Sequence, residues 1–178
     1  MDYTVRSTYT RTDSYLWRAA DVAVVLVVSV LIVFLLFRFA LVPCEVGADS
    51  VKELKEGDVV LVDRVSRFFV DYELGDVLNA RTEEGVFFLR CAAAGGQEYT
   101  VRNGRAYLDG ALIDESAYGG SWSEGVDFSV TIPEGSLLLL PDDRSGVLDP
   151  ERFIFPYSEV YGAARILILP FERFRAFA

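Results

Sequence analysis

Few residues in this chain are equipped for covalent chemistry. The sequence has no histidine, two cysteines (Cys44 and Cys91) and two lysines, Lys52 and Lys55. Without histidine, no Ser-His-Asp triad, Cys-His pair or histidine-ligated metal site can be assembled. Two cysteines make neither a zinc site nor a disulfide framework. No metal and no cofactor is therefore expected. What remains are serine hydroxyls, among them Ser50, directly after Asp49 and just ahead of the two lysines. A serine hydroxyl is a poor nucleophile unless a base takes its proton. Asp49 is badly placed for that task, because adjacent residues on an extended segment point to opposite faces. The formal net charge of −10 argues against a nucleic-acid partner, which would need a basic face.

These residues follow a long apolar run. Val22 to Phe37 reads VAVVLVVSVLIVFLLF, in which Ser29 is the one polar residue, and Arg38 separates it from Phe39-Ala40-Leu41-Val42. Together the two stretches suffice to cross roughly 30 Å of hydrocarbon at about 1.5 Å per residue, with Arg38 reaching toward the headgroups. The spacing predicts a short cytoplasmic segment at 1–21, a membrane anchor at 22–42 and an extracytoplasmic domain at 43–178. Arg6, Arg11 and Arg18 favour a cytoplasmic N-terminus, a bias that Arg38, Lys52 and Lys55 reduce, and Trp17 suits the near interface. No small-x-small cleavage site follows the run, since Arg38, Phe39, Leu41 and Val42 stand there, so the anchor is expected to remain uncleaved.

Beyond Pro43 the pattern is β. Gly57-Asp58 precedes the run Val59–Val65, Gly75-Asp76 precedes VLNAR, and Gly85 precedes VFFLRCA. Tyr99-Thr100-Val101 leads into Asn103-Gly104, a strong hairpin signal; Arg105–Leu108 follows, and Asp109-Gly110 makes a second turn. Further strands are expected at Phe128–Ile132, Leu137–Leu140 and Arg165–Leu169, with the Gly/Ser-rich stretch 116–127 as a loop. No helix of useful length is evident outside the anchor, and there is no internal repeat. The expected fold is mainly β, a coiled sheet or partial barrel behind one N-terminal transmembrane helix. The tail Phe171–Phe177 alternates aromatics with arginines and reads either as a frayed end or as a contact with the outer membrane surface.

The order of these pieces is specific. After the anchor come LKEGDVVLVDR (Leu54–Arg64), LGDVL, a strand ending in Arg90, NGRAYLDG (Asn103–Gly110), TIPEGSLLLLPDDRSGVLD and FPYSEVYGAARI. This succession resembles the bacterial type I signal peptidases, the S26 family, over nearly the whole chain after the anchor. The resemblance implies a β-rich domain against the outer face of the membrane that removes signal peptides after small residues. It also implies a serine nucleophile in a Ser-Met-x-Pro box behind the anchor. The general base would be a buried lysine, followed by arginine, on a later strand.

The residues at those positions depart from the family. Counting back from Leu54 and Gly57-Asp58 without a gap puts the nucleophile position at Asp49; a one-residue deletion would put it at Ser50. Counting back from Asn103-Gly104 puts the base position at Leu89, followed by the family's arginine at Arg90. Neither lysine of the chain falls on that later strand. In the downstream box Asp142, Arg144 and Asp149 match the family, whereas Pro141 and Pro150 stand where it has glycine and serine. These three matching residues are expected to form a structural loop network. The resemblance also brings the Cys44 and Cys91 segments near one another in an oxidising compartment, leaving the two thiols either bridged as a disulfide or separately buried.

The pattern suggests a retained scaffold with retired chemistry. The chain is similar to the dyad-lacking signal-peptidase-like proteins of Gram-positive pilus assembly. That likeness implies a membrane-bound pseudoenzyme that binds an exported protein or pilin client, beside a sortase. The alternatives are an active serine endopeptidase using Ser50 with an unidentified base, and an anchored β domain with an unrelated binding role.

Overall fold

The structure, a computed structural model, describes residues 11–48, 50–82, 85–115, 120, 122–145, 147 and 149–177. The chain divides into two units, 1–38 and 39–178. The first is helix α1, Arg11–Leu35, which widens into a π turn over Leu36–Ala40. Trp17–Ala40 is long and apolar enough to cross a membrane, and none of its most apolar window is buried against protein. Ser29 satisfies its hydroxyl within the helix by donating to the Val25 carbonyl at 2.8 Å.

The second unit begins earlier than the expected anchor boundary at 42. Leu41–Glu45 is a strand, β1, so Leu41 and Val42 belong to the domain. It pairs antiparallel with β2 (Val59–Asp63), Leu41 opposite Asp63 and Glu45 opposite Val59. An apolar residue facing lipid and one facing a sheet's core look alike in sequence, which is why the run appeared continuous.

The larger sheet also contains β3 (Val77–Thr82), β4 (Gly85–Ala94), β9 (Ser136–Leu140), β10 (Ile154–Pro156) and β11 (Val160–Leu169). Their order is β1-β2-β11-β3-β4-β9-β10, with β12 (Arg175–Ala176) beside β11. The smaller sheet has the order β7-β6-β5-β8, from β5 (Glu98–Arg102), β6 (Arg105–Leu108), β7 (Ala111–Leu112) and β8 (Phe128–Thr131). Both hairpin turns fall where expected: Asn103 and Asp109 have φ of 51° and 50°, each followed by a glycine at positive φ. Outside α1 and its π turn the described helical segments are short 3₁₀ turns.

Alternation along β4 divides the core. Phe88 packs with Val51, Leu54, Val60 and Val62, whereas Leu89 and Cys91 pack with Tyr72, Leu78, Leu137 and Leu139. Gly162, on β11, lies so close to β2 that a Cβ there would stand 2.0 Å from the Asp63 carbonyl oxygen. The tail is not frayed. Phe171–Arg173 forms a 3₁₀ turn, β12 pairs with β11, and Phe177 packs on the Phe88 cluster, while Phe171 and Phe174 remain exposed.

Candidate functional site

The segment between β1 and β2 carries the expected nucleophile box. Its ends are clasped by backbone bonds: Val46 donates to the Asp58 carbonyl at 2.8 Å, and Gly57 donates to Val46 at 2.9 Å. Val51 and Leu54 anchor the middle by burying against Phe88. Asp58 is buried, accepting from the Lys55 amide at 2.8 Å and from Arg173 Nη1 at 2.7 Å through both carboxylate oxygens. Arg173 Nη2 also donates to the Glu53 carbonyl at 2.8 Å. The C-terminal turn thus braces the box from 115 residues away.

A second brace comes from β4 and the loop after β9. Arg90 donates to Asp142 through Nε at 2.8 Å and Nη2 at 2.9 Å, to Glu53 at 2.7 Å and to the Gly75 carbonyl at 2.9 Å. Asp142 in turn accepts from the Lys52 amide at 2.8 Å, and its own amide donates to the Ser50 carbonyl at 2.9 Å. Burial alone would pull the Arg90 pKa down, but the hydrogen bonds and charges of Asp142 and Glu53 outweigh it and hold the pKa above the usual arginine value. One buried guanidinium therefore fixes three segments: Ser50–Glu53, the 73–76 turn and Asp142.

The expected catalytic positions fare differently. Asp49 lies outside the described residues. Ser50 is half-buried, and among the described residues its hydroxyl has no hydrogen-bond partner. Leu89 is 4% exposed, opposite Leu78 of β3 and within the apolar cluster on the far side of β4 from Arg90. Lys52 and Lys55 are both exposed. A lysine serves as a base where burial disfavours its charged form, and neither is buried.

The downstream box is structural. Asp142 belongs to the Arg90 brace. Arg144 is fully buried and pairs with Glu115, donating to it through Nη2 at 2.6 Å and to the Tyr99 hydroxyl at 2.7 Å. Trp122 donates its indole N–H to the same hydroxyl at 3.0 Å, and the guanidinium lies 5.3 Å from the Trp122 ring. Asp149 caps the 3₁₀ turn Pro150–Phe153 by accepting from the Glu151 amide at 3.2 Å. Pro150 suits that turn, because its missing N–H falls where the turn has no use for one.

Cys44 and Cys91 are both free thiols, which corrects the disulfide alternative. Cys44 leans on the Phe88 cluster and Cys91 sits in the Leu89 cluster, so the two are packed with different core groups. Burial raises both thiol pKa values, that of Cys91 to about 12. Among the described residues, no group of histidine, cysteine or carboxylate side chains is placed to hold a metal ion.

Sequence reasoning missed Glu53, Asp58 and Arg173. Glu53 had one available signal, a lone carboxylate between Val51 and Leu54, both inward-facing. The Asp58–Arg173 pair left no local trace.

The family model for signal peptidase, peptidase S26, matches residues 19–169. The chain belongs to that family. A relative in Synechocystis sp., described as probable signal peptidase I-1, is 26% identical over 173 residues, covering 88% of this chain and 86% of that protein. A crystal structure of a signal peptidase I from Enterococcus faecalis V583 is 20% identical with a TM-score of 0.43, over 53% of this chain and 97% of that one. Within this S26 scaffold, the residue next to Arg90 is a leucine buried in apolar core, at the position where the resemblance implies a lysine base.

Proposed function

We propose that this S26 protein is a membrane-anchored pseudoenzyme that holds exported proteins without cutting them. One observation carries the reading: Leu89 is buried among Leu78, Leu137 and Leu139, with no proton acceptor on its side chain, while the Arg90–Asp142–Glu53 brace holds the box from the opposite face of β4. Among the described residues no base is bonded to the Ser50 hydroxyl, and a serine without one does not attack an amide at a useful rate. What the scaffold retains is a binding edge. Among the described residues β1 ends the larger sheet and pairs on one side only, to β2, so an extended segment of a client can add to its other side. The client class we favour is an exported surface protein such as a pilin, handed on to a sortase, with the domain on the extracytoplasmic side of the cell membrane.

The test is cleavage and retention together. The full chain in detergent is offered a precursor with a standard signal peptide, alongside Ser50→Ala and Asp49→Ala. All three are expected to retain the precursor and release no product. Product from the unaltered chain that vanishes in Ser50→Ala would make the protein an active signal peptidase. Deleting the gene in its host is expected to impair surface pili while signal-peptide removal continues; intact pili would remove the pilin assignment.

A further inference from the structure

Asn79 is 1% exposed, and among the described residues neither its Oδ1 nor its Nδ2 has a hydrogen-bond partner. Both its neighbours on β3 face the apolar Leu89 cluster, so Asn79 faces the opposite side, and there it lines an open groove of about 310 Å³. The walls are apolar: Val42 and Cys44 from β1, Val62 from β2 and Val86 from β4. Arg64 and Glu45 also line the groove, contributing one charge of each sign, and Arg64 lies 5.8 Å from the ring of Tyr161.

A buried carboxamide left unpaired costs on the order of 1–3 kcal/mol, and an apolar residue of the same shape would avoid that cost. Among the described residues Asn79 has no partner for its amide, and it is one of the residues lining a cleft that opens to solvent beside the edge strand β1. A strand added to that edge sends alternate side chains to the face that carries Val42 and Cys44. The group best matched to Asn79 is neutral, because the two charges lining the groove offset each other and an ion would lose its hydration against Val42, Val62 and Val86. It must also donate and accept together, since Asn79 offers one acceptor and one donor in a plane. A primary carboxamide meets both conditions with two parallel hydrogen bonds.

We infer that this groove selects clients carrying an asparagine or glutamine side chain, with Asn79 as the specificity-determining residue. The proposal rests on the client-binding reading and narrows it to a chemical class. A site built to hydrogen-bond a polar side chain rejects the apolar analogue strongly, because its own buried group is then left unpaired.

Cys44 provides a readout that needs no catalysis. It is half-buried in the groove wall, whereas Cys91 is 1% exposed. The probes are alanine-based peptides in which a single glutamine, leucine or glutamate is walked along the chain. The measurement is the rate at which a maleimide modifies Cys44 of the full-length protein in detergent. At one position glutamine is expected to slow modification about tenfold more than leucine or glutamate, the size of one or two net hydrogen bonds. Asn79→Leu, which replaces an unpaired amide with an apolar side chain, is expected to fold and to reverse the order in favour of leucine. Val86→Phe, made at a wall residue that is 40% exposed, is expected to fill the groove and abolish protection by every peptide.

Equal protection by glutamine and leucine overturns the proposal, and so does a glutamine preference that survives Asn79→Leu. If no peptide protects Cys44 while the exported precursor is still retained, the groove proposal fails and client binding stands. If the precursor is not retained either, both fail.

Discussion

β4 has two faces that have fared in opposite ways. On one face Phe88 and Arg90 hold the box: Phe88 packs under Val51 and Leu54, and Arg90 ties Glu53 and Asp142 together. On the other, Leu89 and Cys91 face a dry cluster with Tyr72 and Leu139. The first face is a positioning device, complete with its ion pairs. The second is the place where the S26 resemblance implies a proton acceptor, and it is plain core. Arg90 and Leu89 thus serve different clusters from alternate positions of a single strand.

The sharpest way to break the contrast is to put a charge on the dry face. Leu89→Lys places an amine among buried leucines. Burial of this kind lowers a lysine pKa by about 3–5 units from about 10.4. The unfolded chain then binds the proton more readily than the folded one, so stability falls as pH drops below about 10.4 and levels off at the folded pKa. At neutral pH the loss is expected to be about 4–5 kcal/mol, read from urea midpoints of the full chain in detergent. A loss that does not grow on acidification would mean that the lysine finds a partner, and that the face is less sealed than Leu89 suggests.

On the braced face the expected losses are smaller. Arg90→Leu strands Asp142 and Glu53 near the core, at a cost of about 3–5 kcal/mol. It should also loosen the segment from Ser50 to Glu53, seen as faster amide exchange at Lys52, whose N–H is held by Asp142. Arg173→Ala removes two bonds to a buried carboxylate that still keeps the Lys55 amide, so about 1–3 kcal/mol is expected. If Arg173→Ala matched Arg90→Leu, the C-terminal turn would be the main brace, and the distinction between the faces of β4 would lose its weight.

How much of this was legible in sequence depended on distance along the chain. The turns at Asn103-Gly104 and Asp109-Gly110 are local, because residues that tolerate positive φ announce themselves. Leu89 was assigned by its spacing to those turns, but its burial was not readable from alternation, since Phe88, Leu89, Arg90 and Cys91 are all buried. β1 was not legible, because Leu41 and Val42 prolong the apolar run of the helix without a break in composition. The Arg173–Asp58 pair spans 115 residues and has no periodicity to betray it. Asn79 gave no signal either: one polar residue between Leu78 and Ala80 reads as ordinary alternation, and its isolation emerges only when the strands around it are assembled.

The smallest expected effect lies at the alkaline end and separates the faces by titration. Burial, with the Asp76 charge adding to it, pushes the Cys91 thiol from 9.0 to about 12. The folded chain therefore keeps a proton that the unfolded chain releases near pH 9, and stability is lost as pH rises from about 9 toward 12, by at most about 1.4 kcal/mol per pH unit. Tyr72, in the same cluster and pushed by burial from 10.0 to about 12, joins only above pH 10. Arg90 contributes nothing in this window, since its pKa is held above the usual arginine value. Half-buried Cys44, whose thiol burial also raises above 9.0, adds to the fall from the Phe88 side, so Cys91→Ala is expected to reduce, not abolish, the fall in urea midpoint between about pH 9 and 10 while leaving the steeper fall above it. An unchanged slope in the variant would assign the titration elsewhere. A slope absent from the unaltered chain, restored by reductant, would mean that Cys44 and Cys91 are bridged after all and that the dry face carries no thiol to titrate.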